Sequence, residues 1–163
     1  MKYLCTLLLA FLLSPPDAFA QARESTGKCV AANEQTANLI SRYQELRERR
    51  RSSSDGEFDK DLDAHDGKLH QVLAALGNEF GHPPNTKQNI LACLGEPDAI
   101  RSDDHMRRFL AIYQTERRKA GRQPLPQGER EYLIYFWRGW HDFLFFINED
   151  GRIIDSGWWF AYE

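Results

Sequence analysis

The chain is poor in the features that announce most chemistries. It has no apolar region near the ~20 residues that a bilayer-spanning helix requires; the longest, Leu4 to Leu13, is short and contains Thr6. Its formal net charge is only −3, too weak a field of either sign for a dominant role on nucleic acid or anionic membranes. It has three cysteines, none of them in a CxxC pair, which argues against dithiol redox catalysis and structural zinc. A GxSxG elbow, a HExxH helix, a P-loop and a GxGxxG turn are all missing. No cofactor is implied, and an enzyme is the less favoured class, although catalytic groups can still assemble in space from unrelated positions. Neither an internal repeat nor a low-complexity tract occurs.

What is there begins with an export-type N-terminus. Lys2 supplies a positive end, Leu4 to Leu13 a short apolar region, and Ala18, Phe19 and Ala20 a small-x-small cleavage signature. Residues 1–20 therefore read as a secretory signal peptide and 21–163 as one domain of ordinary size, the alternative being an uncleaved anchor. Cys5 precedes the apolar region instead of following it, so it does not read as a lipid-attachment site. The expected product is periplasmic or secreted, without stable membrane insertion. Cys29 and Cys93 then remain, and an even pair in an oxidising compartment reads as a disulfide, the alternative being two free thiols.

Apolar residues at helical spacing mark four helices. The first, 32–51, carries a stripe of Ala32, Thr36, Leu39, Ile40, Tyr43 and Leu46, and ends in Arg47, Arg49, Arg50 and Arg51, which reads as a solvated, dipole-complementing helix end. The second, 59–80, carries Leu62, Leu69, Val72, Leu73, Leu76 and Phe80, with Gly67 marking a place where it can break. Asp61 with His65, and Asp66 with His70, stand at i,i+4 there. That spacing suits metal ligands on a helix face, but two separate pairs make two incomplete sites, and no metal is expected. A short helix, 86–94, is capped near Asn85 or Thr86 and stopped by Gly95 and Pro97. Asp98 to Arg101 reads as a short extended piece, and a helix follows over 102–121.

Glu131 to Glu163 holds all four tryptophans and reads as three antiparallel strands, 131–138, 141–148 and 152–162. Gly139–Trp140 suits a type II′ turn, and Glu149–Asp150 a type I turn with Gly151 in the left-handed bulge position after it. These turns sort the side chains onto two faces. One holds Tyr132, Ile134, Phe136, Phe143, Phe145, Ile147, Ile153 and Trp159, and is assigned to the core beneath the helices. The other holds Leu133, Tyr135, Trp137, Asp142, Leu144, Phe146, Ile154, Ser156, Trp158 and Phe160. The expected fold is α+β, with helices packed on one face of a three-stranded or slightly larger antiparallel meander sheet at the C-terminus.

The run from Thr86 to Asp98, with its Leu94-Gly95-Glu96-Pro97-Asp98 turn, resembles the helix and turn of the SmpA/OmlA (BamE-like) proteins, which are also similar to the repeat unit of β-lactamase-inhibitor proteins. The strands from Tyr132 to Trp159 extend the likeness, with Phe143, Phe145 and Ile147 before Gly151 and Ile153 after it. The helices 32–51, 59–80 and 102–121 lie outside it, and the lipoprotein cysteine of the assembly-factor branch is missing. The resemblance implies a non-catalytic binding module of the cell envelope or secreted space.

Two expectations about function follow. The first is protein binding through the second sheet face, with Tyr135, Trp137, Leu144, Trp158 and Phe160 as the contact area and Asp142 adding polar specificity. The competing reading is that both faces are covered and these rings are core. The second expectation, from another class, is a small envelope hydrolase or ligand binder using a polar site of Arg138, His141 and Asp155 near the sheet end. A structural envelope component with no discrete site is the third.

Overall fold

The computed structural model describes residues 27–53, 58–125 and 128–161. The expected signal peptide and Tyr162, the last residue of the third predicted strand, lie outside the described residues. Helix α1 (Glu34–Ser52) starts where Asn33 caps it, the Asn33 side chain accepting from the Thr36 N–H at 2.8 Å. Thr36, Ile40, Tyr43 and Leu46 of the predicted stripe are buried, Leu39 is half-buried, and Ala32 lies exposed before the helix begins. The second predicted helix breaks at Gly67 into α2 (Lys60–Asp63) and α3 (Lys68–Phe80). A Cβ at Gly67 would stand 2.6–2.9 Å from the carbonyls of Lys60, Asp61 and Ala64. Only glycine can fold back onto the end of α2 that closely.

Helix α4 (Lys87–Leu94) is capped by the Thr86 hydroxyl, which accepts from the Asn89 N–H. Cys93 on this helix is bonded to Cys29, closing a loop 64 residues apart in sequence and pinning the N-terminal segment to the core. Strand β1 (Ala99–Ser102) and helix α5 (Asp103–Lys119) follow. The arginines at the end of α1 are more than a solvated run. Arg47 donates to the carbonyls of Leu94 and Glu96 and pairs with Asp98, so it closes the C-terminal end of α4. Arg49 pairs with Asp59 and Asp61, and Arg50 with Asp63.

The fold is α+β, and its antiparallel meander is β1–β2–β3–β4, with β2 (Glu131–Phe136), β3 (Asp142–Glu149) and β4 (Arg152–Phe160). The extended piece before α5 supplies the fourth strand, Ala99 to Ser102 pairing with Ile134 to Glu131. Across the first hairpin the register is the predicted one, Tyr135 opposite Leu144 and Phe136 opposite Phe143. The second turn differs from the reading of its sequence. Asp150 and Gly151 both take positive φ, 51° and 82°, as the two central residues of a type I′ turn between Glu149 and Arg152. The bulge sits beyond the turn: Ile147 opposes Asp155 while Asn148 opposes Ile153, leaving Ile154 extra on β4. That single residue exchanges two side chains between faces. Ile153 belongs to the core on the Leu133 side and Ile154 packs with the Phe143 side, the reverse of strict alternation.

Helices lie on both faces of the sheet. The face of Tyr132, Ile134, Phe143, Phe145 and Ile147 is covered by Met106, Phe109 and Tyr113 of α5. The opposite face, expected to be open, packs against α1, α2, α3 and α4 in the larger of the two apolar clusters. Each large side chain sealed there stabilises by about 1.5–3 kcal/mol relative to exposure. This outweighs the outward-facing alternative for so aromatic a set. The sheet is thus a central layer, and only its edges and ends remain available to another molecule.

Candidate functional site: the outer edge of β4 and its aromatic rim

The expected partner-binding residues separate into two groups. Tyr135, Trp137, Asp142 and Leu144 are buried, at 3% exposure or less. Tyr135 donates its hydroxyl to the Gly95 carbonyl and stacks edge-on with Tyr43. Trp137 donates its indole N–H to the Leu62 carbonyl at 2.8 Å. Leu144 meets α3 at Gly77, where a Cβ would stand 2.8 Å from Leu144 Cδ1. Asp142 accepts from Arg138 Nε at 2.6 Å. These four are structural, and the expectation that their face is exposed is corrected. Their rings are held because burial of aromatic area under helices is worth more than leaving it to water.

Trp158 and Phe160 are different. Both are half-buried, and their rings stack in parallel at 5.4 Å and an interplanar angle of 5°. They form a rim with the buried Trp137, edge-on to both. The roof of this rim is a histidine pair. His65, in the break between α2 and α3, and His70, in the first turn of α3, have ring centroids 4.5 Å apart. His70 lies 4.4 Å from Trp137 and 4.9 Å from Trp158. Burial holds the His70 imidazole below its usual pKa, and the neighbouring His65 adds to the effect. The Arg138 guanidinium sits 4.1 Å from the centre of the Trp137 ring, a cation–π contact that closes the end of the sheet.

Sequence reasoning missed His65 and His70 as members of this site. Their i,i+5 spacing has no meaning on one continuous helix; the break at Gly67 brings the two rings together. The i,i+4 partners proposed for them are engaged elsewhere or exposed, Asp61 being bound by Lys68 and Arg49. Among the described residues no group of three or more His, Cys, Asp or Glu is arranged to hold a metal ion, and no helix is long and apolar enough to cross a membrane.

The alternative polar site does not assemble. Arg138 is engaged with Asp142 and Trp137 at the hairpin end. Asp155 opposes Ile147 at the far part of β4, five residues from Phe160, or about 16 Å at strand rise. There it is buried and paired with Arg117 of α5, with Arg122 at 3.9 Å. The order of the strands explains the separation: Asp155 lies three residues past the β3–β4 turn, whereas Arg138 and His141 flank the β2–β3 turn at the opposite end of β3. The hairpin-end residues and Asp155 share a sheet but not an end of it.

The edge of β4 remains. Among the described strands this one pairs only with β3, and Thr86 bridges Arg152 at its start. The first half of its outer side is occupied. The Ile153 N–H donates to the Asn85 carbonyl, the Ser156 N–H is taken by the Asp155 side chain, and the Ser156 carbonyl accepts from the Tyr113 hydroxyl at 2.7 Å. Ala161 N–H donates inward to His141 O. By the alternation of an antiparallel ladder, the backbone groups of Trp158 and Phe160 therefore point outward. No charged residue or proline blunts Gly157 to Phe160. A cleft of about 300 Å³ runs along the same edge, lined by Asn78 of α3 and Gly81 just beyond it, by Arg122, and by Ser156 and Trp158. No protein-family model, no curated protein and no solved structure matches this chain.

Proposed function

We propose that this chain is an exported, non-catalytic binding module that takes up an extended segment of another protein at the outer edge of β4, with the Trp158–Phe160 rim as its side-chain contact. The observation that carries the reading is the contrast within one strand edge. From Ile153 to Ser156 the outward backbone groups are capped by Asn85, Asp155 and Tyr113. At Trp158 and Phe160 no described residue caps them, and half-buried rings flank them. An uncapped apolar edge is a template for strand addition, in which backbone hydrogen bonds supply affinity and side-chain pockets supply selectivity. Tryptophan and other aromatic residues beside such an edge are what binding hot spots favour.

Export is supported by the signal-like N-terminus and by the Cys29–Cys93 bond, which persists in oxidising compartments. The SmpA/OmlA-like reading belongs to the same proposal. Its helix and turn, Thr86 to Asp98, fold as α4 and a bend at Gly95 that lies against the strands through the Tyr135 hydroxyl.

The test is selection of displayed random peptides on the disulfide-bonded protein, followed by amide hydrogen exchange on the complex. The selected peptides should protect the Trp158 and Phe160 amides. Phe160→Pro, which deletes an outward N–H, should abolish capture, and Phe160→Ala should weaken it. Selected peptides that bind Phe160→Pro as well as the parent, with no added protection at those two amides, would refute the proposal.

A further inference from the structure

The uncapped stretch of the β4 edge stops at a defined point. Both outward backbone groups of Ser156 are taken, its N–H by Asp155 Oδ1 at 2.9 Å and its carbonyl by the Tyr113 hydroxyl at 2.7 Å. A strand added beside Trp158 and Phe160 therefore finds no backbone partner at Ser156, and must turn away or end there. Every pairing in the sheet is antiparallel. A segment that continues this pattern runs from Phe160 towards Ser156, so the end that arrives at Ser156 is its C-terminal one.

At that point stands a surplus positive charge. Among the described residues that line the cleft of about 300 Å³ there, Asp155 is the one carboxylate. Two guanidiniums share it. Arg117, its side chain 14% exposed, pairs with Oδ2, and Arg122 Nη1 lies 3.9 Å from Oδ1. One carboxylate cannot neutralise both, and the buried Arg117 is the closer partner. Arg122 is 61% exposed, and its side chain makes no hydrogen bond among the described residues. The Oδ1 atom it faces is the one that accepts from the Ser156 N–H, so the guanidinium stands beside the first blocked position of the edge. We infer that the segment taken up at β4 is the C-terminal end of another protein chain, its terminal carboxylate bound by Arg122 and its last apolar side chains laid against Trp158 and Phe160. The inference rests on the strand-addition reading above, to which it adds a direction and a terminus. A guanidinium and a carboxylate match as two parallel N–H···O bonds, and such capture of a chain end adds charge recognition to backbone pairing. An N-terminal ammonium at the same place would be repelled.

The experiment offers the disulfide-bonded protein a synthetic library of N-acetylated random hexapeptides, prepared as equal parts C-terminal acids and C-terminal amides. Captured peptides are identified by mass spectrometry, and amide hydrogen exchange is measured on the complex. Acids should be enriched over amides by about tenfold or more, and should protect the Trp158 and Phe160 amides. Arg122→Gln, at an exposed position, should bring that ratio down to about one. Equal capture of acids and amides, with the two amides protected, overturns this inference and leaves strand addition standing. An enrichment of acids that survives Arg122→Gln overturns it as well. No added protection at the two amides overturns both readings.

Discussion

The indole N–H of Trp137 donates to the carbonyl of Leu62 at 2.8 Å, across 75 residues of chain. The same carbonyl accepts from Arg50 Nη2 at 2.9 Å. One backbone oxygen in the short helix α2 thus joins α1, α2 and the end of β2. This contact closes the sheet face that its aromatic composition makes look like an interface. Trp137→Ala should cost about 3–5 kcal/mol of stability, whereas Trp137→Phe, which loses mainly the hydrogen bond and part of the ring, should cost about 1–2 kcal/mol. Urea unfolding monitored by circular dichroism measures both, and a near-neutral Trp137→Ala would place the ring outside the core.

The Cys29–Cys93 bond closes a long loop and leaves Cys93 fully buried. In the chain-entropy picture its removal destabilises by about 4 kcal/mol. Cys29→Ser with Cys93→Ser, or reduction in dithiothreitol, should lower the urea midpoint accordingly, without loss of the C-terminal sheet signal below the transition.

His70 supplies the pH dependence near neutrality. Burial, then the charge of His65, lowers its pKa from the ordinary 6.5, with Arg138 lowering it further and Asp142 opposing. A base depressed in the folded state binds fewer protons there than in the unfolded chain. Stability therefore falls as pH drops through the ordinary histidine value and levels off below the depressed one. Unfolding free energies measured from pH 7.5 to 5 should decline, and His70→Phe should flatten that decline. Asp61 and Glu131 are held below the usual carboxylate range, first by hydrogen bonds from Lys68 and Lys87 respectively. Their contribution is present above the ordinary carboxylate values and is lost at more acid pH.

Gly157 lies between the rings of Tyr113 and Phe145, and a Cβ there would collide with the Tyr113 ring. Gly157→Ala should cost about 1–3 kcal/mol through overpacking. Tyr113→Phe, which removes only the bond to the Ser156 carbonyl, should cost about 1 kcal/mol. Denaturant midpoints of the two variants give the comparison, and the alanine variant should be the weaker protein.

Much of the architecture is legible in local pattern. The stripe of α1, the caps at Asn33 and Thr86, the antiparallel hairpin at Gly139 and the pairing of two lone cysteines each depend on neighbours in sequence or on simple spacing. What failed depended on one residue more or less. The bulge at Ile154 reverses the faces of Ile153 and Ile154 and is invisible to an alternation rule, because both are isoleucine. The joining of His65 and His70 required the angle at Gly67, which no periodicity encodes. The β4 edge was not readable at all, since its caps come from Asn85 and Tyr113, residues 68 and 43 positions away from the strand atoms they hold.

By itself the sequence determined an α+β chain with a C-terminal antiparallel meander and a cysteine pair to tie its start to its middle, because turn chemistry and apolar period act over a few residues. That both faces of that meander are covered was decided only by the tertiary structure. Helices α1 and α5 come from opposite ends of the helical region and settle on opposite sides of the sheet. Each does so because the aromatic area it buries exceeds what either side could gain by remaining exposed.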